Sequence, residues 1–474
     1  MQKEMVEMDK DLQSRQEARE AVRKAFAAQK LLSKMEQAHL DRIVCAIAVA
    51  FADSARELAL LAVEETGFGN VKDKTEKNRF ASQTLWQAIK NQKVVGLLEQ
   101  SDKLWQVGVP MGVIAGIIPS TNPTSTLCYK AMIALKAGNA IVFSPHPKAL
   151  RSSLRAWKIV SDAATAAGAP EGSIGCLALG SMAGCKELLA CPEVSLILAT
   201  GGPAMVRAAY SSGKPAIGVG AGNGPSYIHQ SADVEQALSC ILRSKTFDNG
   251  TVCASEQSII VEKKLEQAVV SAAKEKGFYF MDDAQAETLG KLLFRGDALN
   301  PQVVGRTALE LAEMAGFCVP QDTKILVGRE QKVGLDRPYS MEKLCPVLAF
   351  YVMEDEDSVL KQVVQILSHE GSGHTFSIHA KDESVIRKFA LEVPVSRFLV
   401  NTPAALGGIG ASTKLFPALT LGCGAVGGSS SSNNISPMDL VNIRRVAWDC
   451  TEKSPQQSDD LVELLTQRIL QRLQ

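Results

Sequence analysis

The sequence predicts an α/β protein with two doubly wound domains. Two observations carry this reading. From residue 113 short apolar runs alternate with helix-like segments, and a second alternating set follows Cys253. Strands separated by helices imply parallel sheets with helices on both faces. The 474 residues leave room for about three units at ~150 residues each, ample for large cores.

In order, Ala18, Val22, Ala25 and Phe26 recur at helical spacing within residues 14–30. More helix follows until Gly67-Phe68-Gly69-Asn70 marks a loop. Residues 113–118 form an apolar strand run, 124–136 a helix stopped by Gly138, and 140–143 a strand. A helix at 148–167 leads to a strand at 174–179, a short helix, a strand at 195–199, a helix from Pro203 and a strand at 216–219. The second set offers strands at 257–261, 323–327, 347–352, 375–378 and 397–400, with helices such as 355–367 and 382–391 between them. Residues 406–437 are rich in Gly, Ser and Asn and read as loop, and 438–449 as a strand.

Composition narrows the function. Lys+Arg and Asp+Glu are both 51, so no net charge steers the chain toward nucleic acid or anionic lipid. No apolar run reaches the ~18 residues of a membrane span; residues 107–119 are broken by Pro110 and three glycines. Met1-Gln2-Lys3-Glu4-Met5 is charged and lacks the apolar segment of a secretory signal. Eleven cysteines are scattered without a Cys-x-x-Cys pair, which fits a reducing cytoplasm better than a disulfide framework. Cys176, Cys185 and Cys191 sit by a strand start and a loop, so no metal site is expected.

The chemistry centres on Phe247-Asp248-Asn249-Gly250-Thr251-Val252-Cys253-Ala254-Ser255-Glu256-Gln257. A cysteine on a Gly-containing turn between helix and strand can stay open to a ligand and attack a carbonyl as its thiolate. Other segments follow in order: Ile117-Ile118-Pro119-Ser120-Thr121-Asn122-Pro123, Ala199-Thr200-Gly201-Gly202-Pro203, Glu342-Lys343-Leu344-Cys345-Pro346-Val347 and Thr420-Leu421-Gly422-Cys423-Gly424. Together they resemble the aldehyde dehydrogenase superfamily, in the wording of its coenzyme A-acylating branch, over residues 14–449. The resemblance implies a dinucleotide-binding domain at 1–93 and 110–225 and a catalytic domain at 226–425. It also implies a small β oligomerisation arm at 94–109 and 426–450, in a homodimer or homotetramer.

It further implies Cys253 as nucleophile and Asn122 as oxyanion donor, although a plain turn residue before Pro123 is the alternative for Asn122. Glu342 would hold the nicotinamide ribose, the alternative being a surface charge. Cofactor binding would also involve Ser120, Thr121, Ser144, His146, Gly180, Thr200, Gly201, Gly202 and Gly220. No G-x-G-x-x-G fingerprint follows a strand; the turns at 179–184 and 200–203 read either as ordinary βα turns or as freeing backbone N–H groups for phosphate, and the resemblance implies the second. The family's hydrolytic members carry a lysine where this chain has Ser144-Pro145-His146-Pro147, so NAD and NADP both stay open. Those members also carry a glutamate that activates water, and aligned on Pro225 its place is held by Val219. Valine takes no proton, so the acyl group is expected to leave on coenzyme A. Cys423 reads as lining, and His374 as a structural histidine that could assist the incoming thiol.

The expected reaction is oxidation of acetaldehyde or propionaldehyde to acyl-CoA with NAD. A hydrolytic aldehyde dehydrogenase or an inactive cargo subunit are the alternatives. Residues 451–457 read as a linker. Ser458 is then expected to cap a helix over 458–474 with Leu461, Val462, Leu465, Ile469 and Leu473 on one face. The tail resembles the encapsulation peptides of bacterial microcompartment enzymes, which implies a shell-protein partner inside the bacterial cytoplasm.

Overall fold

The computed structural model describes residues 9–450 and 455–473. A helix at Lys10–Leu32 opens the described chain, and its buried face carries Ala18, Val22 and Ala25. An antiparallel hairpin follows, β1 (Gly96–Gln100) and β2 (Leu104–Pro110). The next strands are β3 (Val113–Ile118), β4 (Ala140–Pro145), β5 (Ile174–Cys176), β6 (Val194–Thr200) and β7 (Ala216–Val219), a parallel sheet in the order β5-β4-β3-β6-β7. Every residue of β3 and β4 is buried. A parallel sheet covered on both faces needs such unbroken apolar runs, which is why these strands stand out in the sequence.

The second sheet is built from β8 (Gly224–Ile228), β9 (Glu256–Glu262) and β10 (Phe278–Phe280), then, past a small hairpin of β11 (Phe294–Arg295) and β12 (Ala298–Leu299), from β13 (Ile325–Arg329), β14 (Val347–Met353), β15 (Gly373–His379) and β16 (Val395–Val400). It is parallel throughout, in the order β10-β13-β14-β9-β8-β15-β16. Finally β17 (Val441–Ala447) pairs antiparallel with β2, making a three-stranded sheet of β1, β2 and β17.

Several expectations need correction. The division placed between residues 225 and 226 falls inside β8, which belongs wholly to the second sheet. β8 reads Gly-Pro-Ser-Tyr-Ile and lacks an apolar run, and its register shifts at Gly224/Pro225. β5 ends at Cys176, so the strand expected at 174–179 is cut short. The tail helix spans Pro455–Leu473, so Ser458 lies within it and does not cap it. Proline suits a first helical position because its missing N–H has no intrahelical partner there. Of the expected linker, 451–454 lie outside the described residues, as does the Met1–Met5 segment read for a signal. Among the described residues no helix is long and apolar enough to cross a membrane, and no His/Cys/Asp/Glu group could hold a metal ion. All eleven cysteines are free.

Candidate active site

The carboxyl ends of the first sheet meet the amino ends of the second around a cavity of about 270 Å³. Ser120, Thr121 and Asn122 reach it from the turn after β3, and His146 from beyond β4. Thr200, Gly201 and Gly202 arrive from the end of β6, Val219 and Gly220 from the end of β7. The second sheet contributes residues that precede its strands: Thr251 and Cys253 before β9, Glu342 before β14. Ser144 and Gly180 do not line this cavity. Ser144 is buried in β4. The turn at Gly180 leads into Ser181, whose hydroxyl is occupied in capping the next helix at Gly184 N (2.9 Å) and in meeting Ser14 Oγ (2.5 Å).

The nucleophile turn has an unusual backbone. Asp248 (φ 49°) and Asn249 (φ 51°) are left-handed, followed by Gly250 (φ 76°). Asp and Asn tolerate that region better than most residues. The turn presents Cys253 half-buried. Burial, and then the Glu342 carboxylate, push its thiol up to about 12, so the ligand-free site holds a thiol at neutral pH. Gly222 approaches so closely that a Cβ there would lie 2.1 Å from the Cys253 carbonyl oxygen. Its N–H donates to Glu342 Oε1 at 2.9 Å. Burial, and then Glu370, raise Glu342 to about 8. It is a half-buried cavity residue, not a surface charge.

Asn122 occupies the N-cap position of the helix Pro123–Lys136, yet its side chain caps nothing. Its Oδ1 accepts from Lys77 Nζ at 2.6 Å, and its Nδ2 faces the Thr251 carbonyl (3.4 Å) and Thr121 Oγ1 (3.3 Å). A turn role alone leaves that side chain unexplained. Val219 is 2% exposed and brings an apolar wall to the same cavity. His374 is buried away from it with Nδ1 on Thr375 Oγ1 at 2.9 Å; burial, and then Arg397, hold its pKa well below the usual range. Cys423 is also buried outside the cavity lining.

Sequence reasoning missed Lys77 and Thr251, both of which line the cavity. Lys77 belongs to a strongly polar helix, Val71–Arg79, whose buried face carries Lys74, Thr75, Lys77 and Asn78. A charged sequence gives no periodic apolar signal for burial.

The residues around the β6 turn fit a dinucleotide. Gly202 starts the helix Pro203–Tyr210 without a side-chain cap. A Cβ at Gly202 or Gly220 would meet nothing within 4 Å, so the backbone there faces open space. Free N–H groups at a helix start beyond the carboxyl edge of a parallel sheet favour a pyrophosphate.

Comparisons with known proteins agree with this architecture. The aldehyde dehydrogenase family pattern matches residues 3–288. The bifunctional aldehyde-alcohol dehydrogenase AdhE of Escherichia coli is 42% identical over 433 residues, covering 90% of this chain and 49% of that protein. The chain thus spans about half the length of that relative. An acetylating aldehyde dehydrogenase from Geobacillus thermoglucosidasius superposes with a TM-score of 0.92 at 47% identity, covering 94% of this chain and 99% of that one. A propionaldehyde dehydrogenase from the Clostridium phytofermentans fucose utilisation microcompartment gives 0.83 at 27% identity, covering 92% and 99%. With its two parallel sheets meeting at Cys253, Asn122 and Glu342, the chain belongs to the aldehyde dehydrogenase family.

Proposed function

We propose that the protein is a coenzyme A-acylating aldehyde dehydrogenase, oxidising acetaldehyde or propionaldehyde to the acyl-CoA with NAD as acceptor. Val219 carries the reading: an apolar side chain stands in the cavity of Cys253, Asn122 and Glu342, at the position where hydrolytic relatives place their water-activating glutamate. The acetylating enzyme from Geobacillus supports the same assignment at 47% identity.

The Cys253 thiol gives its proton to water in the open cavity, and Sγ bonds to the aldehyde carbon as the carbonyl π pair moves onto oxygen. The carbonyl oxygen becomes an oxyanion that Asn122 Nδ2 and the Cys253 N–H would hold, each such donor being worth ~3 kcal/mol. Thr200 to Gly202, Gly220, Ser120, Thr121, His146 and Glu342 would bind the dinucleotide, which supplies a hydride acceptor when bound. Restoring the carbonyl, with the carbon's hydrogen leaving as hydride to that acceptor, would leave a thioester on Cys253. Water needs a base to attack it, and Val219 is none. The coenzyme A thiol reaches its thiolate far more readily, attacks the thioester and expels Cys253 as thiolate.

Glu342 supports one second reading, since a cavity carboxylate raised to about 8 has the basicity of a hydrolytic general base. NADH formation across aldehydes of increasing length, with and without CoA, separates the two. Acylation predicts a CoA-free rate lower by ~100-fold or more and no free acid, whereas equal rates would establish hydrolysis. Val219→Glu should create measurable CoA-independent turnover; if wild type already hydrolyses as fast as it acylates, Val219 decides nothing.

The three-stranded sheet is proposed as the arm of a homodimer or homotetramer. The tail is proposed to dock on a microcompartment shell, because residues 462–473 are all exposed, among them Val462, Leu465, Ile469 and Leu473. Grooves in partner proteins read such apolar helix faces. Deleting 456–474 should leave activity in solution nearly unchanged and abolish co-purification with shells. Dissociation of the oligomer, or a melting temperature lower by several degrees, would place the helix on its own protein instead.

A further inference from the structure

We infer that Lys77 is a positioning residue for the oxyanion donor: with Asp248 behind it, it decides which way round the Asn122 side-chain amide sits. The inference rests on the reading of Asn122 as that donor.

An amide group is nearly symmetrical in shape, but only its NH₂ end can stabilise a negative oxygen, and its carbonyl end would repel one. A lysine ammonium donates and never accepts, so the atom it meets must be Oδ1. Lys77 Nζ lies 2.6 Å from Asn122 Oδ1. That turns Nδ2 toward the Thr251 carbonyl at 3.4 Å and Thr121 Oγ1 at 3.3 Å. Both contacts are long for hydrogen bonds. The NH₂ group is therefore oriented without being consumed, beside Cys253 in the same cavity.

The other two N–H groups of Lys77 go to Asp248 Oδ2 at 2.5 Å and Thr251 Oγ1 at 3.1 Å, so all three donors are engaged and the ammonium cannot swing away. Asp248 is fully buried and also receives Lys74 Nζ at 2.8 Å, Asn70 N at 2.9 Å and the Thr251 hydroxyl at 2.7 Å. Lys74 in turn donates to the Thr121 carbonyl at 2.9 Å. One carboxylate on the nucleophile's own turn thus ties two lysines to Thr121 and Asn122. The thiol and its oxyanion donor are referenced to a single anchor.

The test is a double-mutant cycle read by single-turnover NADH formation from acetaldehyde without CoA. Alkylation of Cys253 by iodoacetamide is the control, because that reaction passes through no oxyanion. Asn122→Ala should slow NADH formation by ~100- to 1,000-fold. Lys77→Met keeps the stem and loses the donors, and should slow it by a similar ~100-fold while leaving alkylation within about twofold. In the Asn122→Ala background Lys77→Met should add less than about threefold, because groups that act through one another are not additive. In Lys77→Met the Asp248 carboxylate keeps Lys74 Nζ, Asn70 N and the Thr251 hydroxyl as donors, so the variant should fold. Lys77→Arg, which keeps a cationic donor at this place, is the second variant and should recover most of the rate. Fast NADH formation in Lys77→Met, no recovery in Lys77→Arg, equal slowing of alkylation, or a full further loss in the Asn122→Ala background each overturns the positioning role. Full speed in Asn122→Ala alone overturns the donor assignment first, and the positioning role with it.

Discussion

Cys253→Ala should abolish aldehyde oxidation, by ~10⁴-fold or more, since removing a nucleophile costs about as much as removing the whole catalytic set it works with. Folding and dinucleotide binding should survive, because the side chain removed is small and half-buried at the cavity wall. Turnover assays, dye-monitored melting and NAD titration check the three parts. Residual activity of more than a few per cent would move the chemistry to another cysteine. Cys423 is then the next to test, although it is buried outside the cavity lining. The acid–base behaviour of Cys253 gives a second, independent check. Its thiol is pushed up to about 12 by burial, and then by Glu342, against ~8.5 for a free cysteine. In the ligand-free protein, iodoacetamide labelling of Cys253 should therefore keep rising about tenfold per pH unit from 7 to 10. A plateau by pH 9 would mean a thiolate already stabilised before substrate or cofactor arrives.

What the sequence discloses depends on which physical signal a residue leaves. Buried parallel strands leave apolar runs, so β3, β4 and β9 are legible. β8 is equally buried but carries Gly224, Pro225 and Ser226, and nothing in its pattern marks it. Cys253, Asn122, Glu342 and Val219 lie far apart in the chain, and only the resemblance to the family's motifs, aligned on Pro225 for Val219, singles them out. The cavity brings all four together. Gly180 shows the opposite case: its turn has the composition of a phosphate site, yet it lies off the cavity lining and the adjoining Ser181 hydroxyl is engaged by Ser14 and Gly184 within the fold. Lys74 and Lys77 are missed for a different reason. Burial of a charge depends on a partner distant in sequence, here Asp248, more than 170 residues away. Neither helix periodicity nor local composition encodes that pairing.

Asp248→Ala should be the most destabilising single change near the site, at ~3–5 kcal/mol, because it strips the counter-ion from two buried lysines. Alanine would also have to adopt the left-handed backbone at φ 49°, which costs roughly 1 kcal/mol more. The pH dependence identifies the cause. Burial alone would raise the Asp248 carboxyl, but Lys74 and Lys77 overcome it and hold the group below its usual range. A depressed carboxyl adds stability that is complete above the unfolded value of ~4 and is lost as pH falls through the folded value. Lys77 is lowered by burial to about 8 despite its partner. Above that pH it becomes neutral in the folded protein and needs the carboxylate less. The stability gap between wild type and Asp248→Ala should therefore be widest from about pH 5 to 8. It should narrow in acid, as the wild-type carboxyl takes up its proton, and narrow again as pH rises through about 8, as Lys77 loses its own. Asp73 also faces Lys77 and remains in the variant, so the alkaline narrowing should be partial. Urea unfolding of both proteins across that range measures the gap directly. A gap below about 1 kcal/mol at pH 7, the size of an exposed ion pair, would show that water already compensates these lysines. A large gap that ignores pH would trace the loss to backbone strain and packing, leaving the charge cluster with no part in holding the nucleophile turn.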